Sequence, residues 1–93
     1  MSPHKKVYYN HYGITRGTWW PCEYCGKSMV DVHAIEPDGI GGTKKEHLIT
    51  NLMAICREDH HEAHNGTKLP KEFLKEVHLQ FMETETPYLQ LKN

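Results

Sequence analysis

The pattern of apolar and polar residues predicts two short strands and a helix in the middle of the chain. The first strand is predicted over Ser28–Ile35, which is rich in β-branched residues and partly alternating, and the second over the apolar run Leu52–Ile55. The polar segment Arg57–His64 is predicted to form the helix that follows. Asn65 and Gly66 stand where a left-handed C-cap is expected.

A second helix is predicted from Pro70 to about Glu85. Proline suits the first helical position, and an apolar stripe with helical spacing follows it: Phe73, Leu74, Val77, Phe81 and Met82. We expect this stripe to pack across the strand–strand–helix unit, and Pro87 to end the helix. The sequence leaves open whether the tail Tyr88–Leu91 pairs with a sheet edge or with a second subunit.

The N-terminal residues 1–20 are predicted to form a partly ordered arm that is rich in aromatic side chains. Trp19 and Trp20 lead into the first cysteine pair, and we expect them to pack over a small core there, with stacking on DNA bases as the less favoured alternative. The chain is therefore divided into residues 1–20, a central unit 21–66, and a C-terminal helix and tail 67–93.

Composition narrows the class of protein. A chain of 93 residues makes one domain with a small hydrophobic core, and domains of this size are commonly stabilised by a structural metal. Because no run of 18 apolar residues and no charged-then-apolar leader is present, we expect neither a membrane span nor a secretory signal, and a cytoplasmic location. The formal net charge of −1 does not by itself indicate a nucleic-acid-binding protein.

The three cysteines have the spacing of a zinc site. Cys22 and Cys25 form a C-x-x-C knuckle, and Cys56 begins a second knuckle-like sequence with Asp59 in its last place. Three sulfurs and one oxygen can close a tetrahedral zinc site, so Asp59 is the first choice for the fourth ligand and His61 the alternative. An odd number of cysteines argues against a disulfide framework.

A second set of candidate ligands contains no sulfur. His60 and His64 are four residues apart, so on a helix they share one face. His33 lies within the first predicted strand, and Asn51 directly precedes the second.

Over about half of its length, the chain resembles the HNH nuclease family in its zinc-stabilised ββα-metal form. The resemblance rests on the order of four motifs: C-x-x-C, V-H-x-I, G-G and N-L-x-x-x-C-x-x-x-H-x-x-x-H. The resemblance implies an α+β fold, a small treble-clef-like ββα-metal domain, here with an extra C-terminal helix. It also implies that His33 and His60 hold a catalytic divalent metal with His64 as third ligand, and that Asn51 braces the segment bearing the general base.

The family's general base is a histidine directly after the first metal ligand, and this chain has Ala34 there, in the sequence Val32-His33-Ala34-Ile35. Alanine cannot accept a proton. Either the histidine was replaced deliberately to inactivate an enzyme, which we favour, or a natural chain has lost catalysis. A third interpretation makes His33 itself the base and Asp31 a ligand, since residues two apart in a strand share a face.

The resemblance implies a DNA endonuclease that hydrolyses phosphodiester bonds, here impaired, of the small kind found in bacteriophages. The sequence leaves open whether the chain is a monomer or a homodimer. Imidazole ligands admit the transition metals Mn²⁺, Co²⁺, Ni²⁺ and Zn²⁺ at the catalytic site, and Mg²⁺ is a further candidate, beside the structural Zn²⁺ at the cysteines. The competing interpretation is a non-catalytic zinc module that binds DNA or protein. Candidate phosphate contacts are the basic residues His4, Lys5, Lys6, Arg16, Lys44 and Lys45.

Overall fold

Two short antiparallel strands lie at the centre of this α+β protein. The computed structural model describes residues 3–36 and 48–91, and within them the elements follow the order α1 (Pro3–Tyr12), β1 (Asp31–Ala34), a 3-10 turn (Ile49–Asn51), β2 (Leu52–Ile55), α2 (Arg57–Asn65), α3 (Lys71–Thr84) and α4 (Tyr88–Leu91). The segment Asp38–Gly42, whose three glycines predict a loop, lies outside the described residues, and so do Lys44, Lys45 and His47.

The register of the two strands divides their side chains between two faces. Val32 pairs with Ala54, His33 with Met53, and Ala34 with Leu52. Because neighbouring side chains in a strand point to opposite faces, Val32 and Ala34 share one face while Asp31 and His33 share the other. The sheet therefore separates the surroundings of His33 from those of Ala34.

Helix α1 covers the face that carries Val32 and Ala34. Its Tyr8 is completely buried against Val32 and Leu52, and Ile14 joins the same cluster from the following loop. Residues 3–12 were predicted as part of a partly ordered arm, and that prediction was wrong because the aromatic side chains of this segment form core. Trp20 packs on this cluster and not at the cysteine knuckle, where both tryptophans were predicted to pack, and Trp19 is 62% exposed.

Helix α3 packs on the opposite face. Leu74 and Val77 are buried against Ile35 and Met53, so the predicted packing of the apolar stripe across the sheet is confirmed for these positions. Pro70 is the N-cap of α3 and not its first helical residue, because its ψ of 157° is extended.

Three further details differ from the predictions or complete them. Strand β1 spans Asp31–Ala34 and not Ser28–Ile35, because Ser28 forms a bridge with Pro21 and the Met29 N–H donates to the carbonyl of Trp20. Gly66 is extended (φ −105°), so α2 ends without the predicted left-handed cap. The tail is the short helix α4, whose first residues donate backbone hydrogen bonds to Glu23 and Tyr24. None of the described helices is long and apolar enough to cross a membrane.

Candidate metal centres

The three cysteines and Asp59 come together as one cluster. One ligand atom from each of Cys22, Cys25, Cys56 and Asp59 lies within 4.8 Å of all the others. The Cys25 and Cys56 sulfurs are 3.5 Å apart, and the Cys22 sulfur is 3.3 Å from Asp59 Oδ2. Two sulfurs on one tetrahedral zinc are separated by about 3.8 Å, so the cluster is close to the size that zinc requires.

The backbone of the first knuckle is closed by a glycine turn. Gly26 has φ +85°, a conformation that L side chains rarely adopt, and its N–H donates to the carbonyl of Cys22 at 3.0 Å. A Cβ at this position would also stand 2.8 Å from Gln90 Nε2. The glycine thus lets the knuckle turn tightly beneath the C-terminal helix α4.

The second half of the cluster is the start of α2. Cys56 is the N-cap of this helix, and its sulfur accepts the N–H of Asp59 at 3.5 Å. His61, the alternative fourth ligand, is exposed and lies 3.4 Å from the side chain of Asn65. The geometry therefore favours Asp59 as the fourth member. Because the cluster fixes where α2 begins, it also fixes the directions of the histidines further along that helix.

Without a bound cation, the sulfurs of Cys22 and Cys56 are protonated at neutral pH. Burial is the main cause that raises the pKa of Cys22 to about 12, and burial likewise raises the pKa of Cys56. Thiolates this close together need a positive charge between them, which a zinc ion supplies. The three cysteines form no disulfide.

The histidines form a second cluster. His33, His60 and His64 each place one ring nitrogen within 4.8 Å of the others, and the Nε2 atoms of His60 and His64 are 3.0 Å apart. Nitrogen ligands about 2.0–2.1 Å from one metal stand about 3 Å apart. The set therefore has the chemistry and the spacing of a three-histidine metal site.

The fold makes this cluster from one residue of the sheet and one face of a helix. His33 is 8% exposed and lies on the sheet face that α2 covers, while His60 and His64 stand one turn apart on α2. Burial, and next the neighbouring His60, lowers the pKa of His33 to about 4, and burial also lowers the pKa of His60. At neutral pH these two rings are uncharged and can bind a metal.

Asp31 lies behind His60. Its Oδ2 is 3.8 Å from His60 Nδ1, whereas Nε2 of the same ring faces His64. A carboxylate on the far nitrogen is a common way to hold a metal-binding histidine in one orientation. Asp31 shares a face with His33, as the third interpretation requires, but it is not a member of the three-histidine group.

Asn51 clamps the chain directly after Ala34. Its Nδ2 donates to the carbonyl of Glu36 at 2.7 Å, and its Oδ1 accepts the Glu36 N–H at 2.8 Å. The Asn51 carbonyl in turn accepts the N–H of Ile35. Together these three bonds extend the strand pairing by two residues and fix the end of β1.

Ala34 is the last residue of β1 and is half-buried. Its side chain belongs to the face covered by α1, where it packs against the cluster around Tyr8, opposite to His33. The residue also lines an open cavity of about 360 Å³ that His33 and His64 share. A longer side chain at position 34 would therefore have to turn around the end of the strand to reach the space in front of the histidine cluster.

Sequence reasoning missed a buried polar network next to the cysteines. Glu23, inside the first knuckle, faces His78 of α3 at 2.7 Å, and both side chains are fully buried. The other Glu23 oxygen accepts the hydroxyl of Tyr8 and the N–H of Ala54. The available signal was the position of His78, which follows Leu74 by one helical turn and so falls on the buried stripe of α3.

Comparison with protein families, with curated proteins and with solved structures found no match for this chain.

Proposed function

We propose that this chain has the fold and metal centres of an HNH-type DNA endonuclease, and that Ala34 leaves it catalytically impaired. The observation that carries the proposal is the convergence of His33, His60 and His64 at the point where two strands and a helix meet. The sulfur cluster, at the start of the same helix, supports the ββα-metal assignment. We assign to it a structural zinc with no part in the reaction.

The three histidines would hold one divalent cation. When bound, that ion supplies a Lewis acid, which polarises a phosphodiester and stabilises the charge on the leaving oxygen. The neutral state of His33 and His60 keeps their lone pairs available without a preceding loss of protons. Asp31 would keep His60 in the tautomer whose Nε2 faces the metal.

Positive side chains stand at the edges of the two cavities that open onto the histidines. Arg57 lines a hollow of about 450 Å³ together with His60 and His64, and Lys71 lines the cavity beside Ala34. Each can pair with a phosphate of a DNA strand that passes the cluster. These cations act locally, so they are compatible with a net charge near zero.

Asn51 would hold the backbone that carries residue 34. A general base has to lie within hydrogen-bond reach of the water that it deprotonates, and the clamp on Glu36 fixes the strand end that carries residue 34. With alanine at position 34 the chain has no proton acceptor there. We therefore expect it to bind metal and DNA but to cleave poorly.

The test is nicking of supercoiled plasmid by this chain and by Ala34→His, each with Mg²⁺, Mn²⁺ or Ni²⁺. Restoring the base should raise the rate by about 10² or more. Ala34→Gln is the matched control, because it fills similar space without a basic group. Robust cleavage by the alanine chain would transfer the role of base to His33 or another group, and equal rates for histidine and glutamine would argue against the proposal.

A second candidate is a zinc module that binds DNA or protein without cleaving it. Ala34 favours this candidate, and so does the direction of its side chain, which leaves the strand on the face opposite to His33. The three-histidine cluster counts against it, since binding alone does not require a second metal site. Two results together would establish the binding module. DNA binding should need no metal and should persist in His60→Ala and His64→Ala, and Ala34→His should not cleave DNA.

A further inference from the structure

A third hollow lies on the side of α1. It has a volume of about 540 Å³ and lies between α1, the loop after it and the segment that precedes β1. Its lining is partly aromatic and partly charged and includes Lys5, Arg16, Trp19, Trp20, Met29 and Asp31. Its volume lies within the range of sites that bind small ligands.

The hollow borders the one that contains His60 and His64. Asp31 lines it and also lines the hollow that contains His60 and His64. Lys5 stands at the junction, with its Nζ 3.9 Å from Asp31 Oδ1. A polymer bound at the histidines would have to pass Asp31 and Lys5 to reach the hollow.

The exposed side chains of the hollow have two complementary chemistries. The large ring of Trp19 is 62% exposed, so it does not close the hollow that it lines. Arg16 is exposed on the same loop. Aromatic faces bind unpaired bases by stacking, and arginine and lysine bind phosphates. In a duplex the faces of each base are covered by its neighbours, so a stacking tryptophan selects unpaired nucleotides.

We propose that this hollow binds a single-stranded nucleic-acid segment next to the phosphodiester held at the histidines, with a base on Trp19 and a phosphate at Arg16. The inference rests on the proposed function, because it takes the histidine cluster as the place where the scissile phosphodiester lies. It adds a preference for substrates that have unpaired nucleotides beside the bond, such as a flap or a gap.

Binding to a fluorescein-labelled single-stranded oligothymidylate and to a duplex of the same length tests the inference. In the zinc-loaded full chain, Trp19→Ala should weaken single-strand binding about ten-fold and leave duplex binding unchanged. Arg16→Ala should lower the slope of log Kd against log salt concentration by about 0.7. Leu79→Ala and Lys68→Ala are the controls for the apolar and the charged change, because both side chains are exposed and neither residue lines the hollow.

Single-strand binding that is the same in Trp19→Ala and Leu79→Ala would overturn the inference, and so would equal losses on single strand and duplex. A small substrate separates this failure from failure of the proposed function. Bis(p-nitrophenyl) phosphate has no bases, so its metal-dependent hydrolysis by Ala34→His should not change when Trp19→Ala is added. Absence of that hydrolysis would count against the proposed nuclease activity. The oligonucleotide measurements alone decide whether the hollow binds a single strand.

Discussion

The buried pair Glu23–His78 makes a quantitative prediction about stability. Glu23 Oε1 and His78 Nδ1 are 2.7 Å apart, and His78 Nε2 is 2.6 Å from the carbonyl oxygen of Ile49. A nitrogen that faces a carbonyl must carry a proton, and one more proton lies between Oε1 and Nδ1, so the pair is neutral as a whole. Burial raises the pKa of Glu23, and its hydrogen bond with His78 is the largest opposing influence.

Replacing His78 with phenylalanine fills most of the space but leaves the Glu23 carboxyl without its main partner. Breaking a buried pair in this way costs about 3–5 kcal/mol, a large fraction of the roughly 5–15 kcal/mol that stabilises a domain. Glu23→Gln should cost less, because the amide oxygen can still accept from Tyr8 and Ala54 and the amide N–H can donate to His78 Nδ1. The double variant should lose less stability than the two single losses added together.

The assay is urea unfolding followed by circular dichroism, at a fixed excess of zinc. Lys75→Met is the matched control on the same helix, because Lys75 forms an exposed ion pair with Glu36 at 3.8 Å and should contribute at most about 1 kcal/mol. A His78→Phe variant that loses no more stability than Lys75→Met would refute the reasoning. Additive losses in the double variant would show that the two side chains are not coupled.

Three further predictions concern the metal site, the core and pH. Cys25→Ser should abolish the binding of one zinc per chain and sharply lower Tm, and Asp59→Ala should weaken zinc binding while His61→Ala should not. Zinc analysis and thermal unfolding check this prediction, and a metal-free chain of equal stability would contradict it. Tyr12→Phe should leave the free energy of unfolding unchanged or raise it by about 1 kcal/mol, because the Tyr12 hydroxyl is buried without a hydrogen-bond partner among the described residues. Losing a buried hydrogen bond costs roughly 1–3 kcal/mol, so a loss of about 2 kcal/mol or more would reveal a partner. With one equivalent of zinc and no other metal, the free energy of unfolding should fall as pH falls from the ordinary histidine pKa of 6.5 towards 4, since the unfolded chain takes up a proton in this window and buried His33 does not. The free energy of unfolding of His33→Asn, measured in urea, should fall less over the same window, by up to about 3 kcal/mol. Identical pH profiles for the two chains would contradict the assignment to His33.

The parts of the fold that could be predicted are those with a local signal. Strand β2 and helix α3 follow from an apolar run and from helical spacing, and Leu74 and Val77 face the core as that spacing requires. The local pairs in both clusters, Cys22–Cys25, Cys56–Asp59 and His60–His64, follow from residue type and separation along the chain, because knuckle and one-turn spacings bring two ligands together. Joining the two knuckles, and adding His33 to the histidine pair, requires the tertiary fold.

The parts that could not be predicted depend on contacts between distant residues. Helix α1 carries aromatic side chains on several faces, so its period is weak, and its order comes from burying Tyr8 under the sheet. Glu23 and His78 are 55 residues apart, and nothing in either local sequence indicates the other. The direction of Ala34 depends on the exact register of β1, because a slip of one residue moves every side chain to the opposite face.

The central claim is that His33, His60 and His64 hold one divalent cation, and a crystal structure of the zinc-loaded chain soaked with Mn²⁺ tests it most directly. Anomalous scattering, measured on both sides of the manganese and zinc edges, separates the two metals by position. We predict zinc at the cysteine cluster with Asp59, and manganese between the three histidine rings, about 2.0–2.3 Å from their nitrogens. No manganese at the histidines, or manganese held only by Asp31 and other carboxylates, would contradict the account.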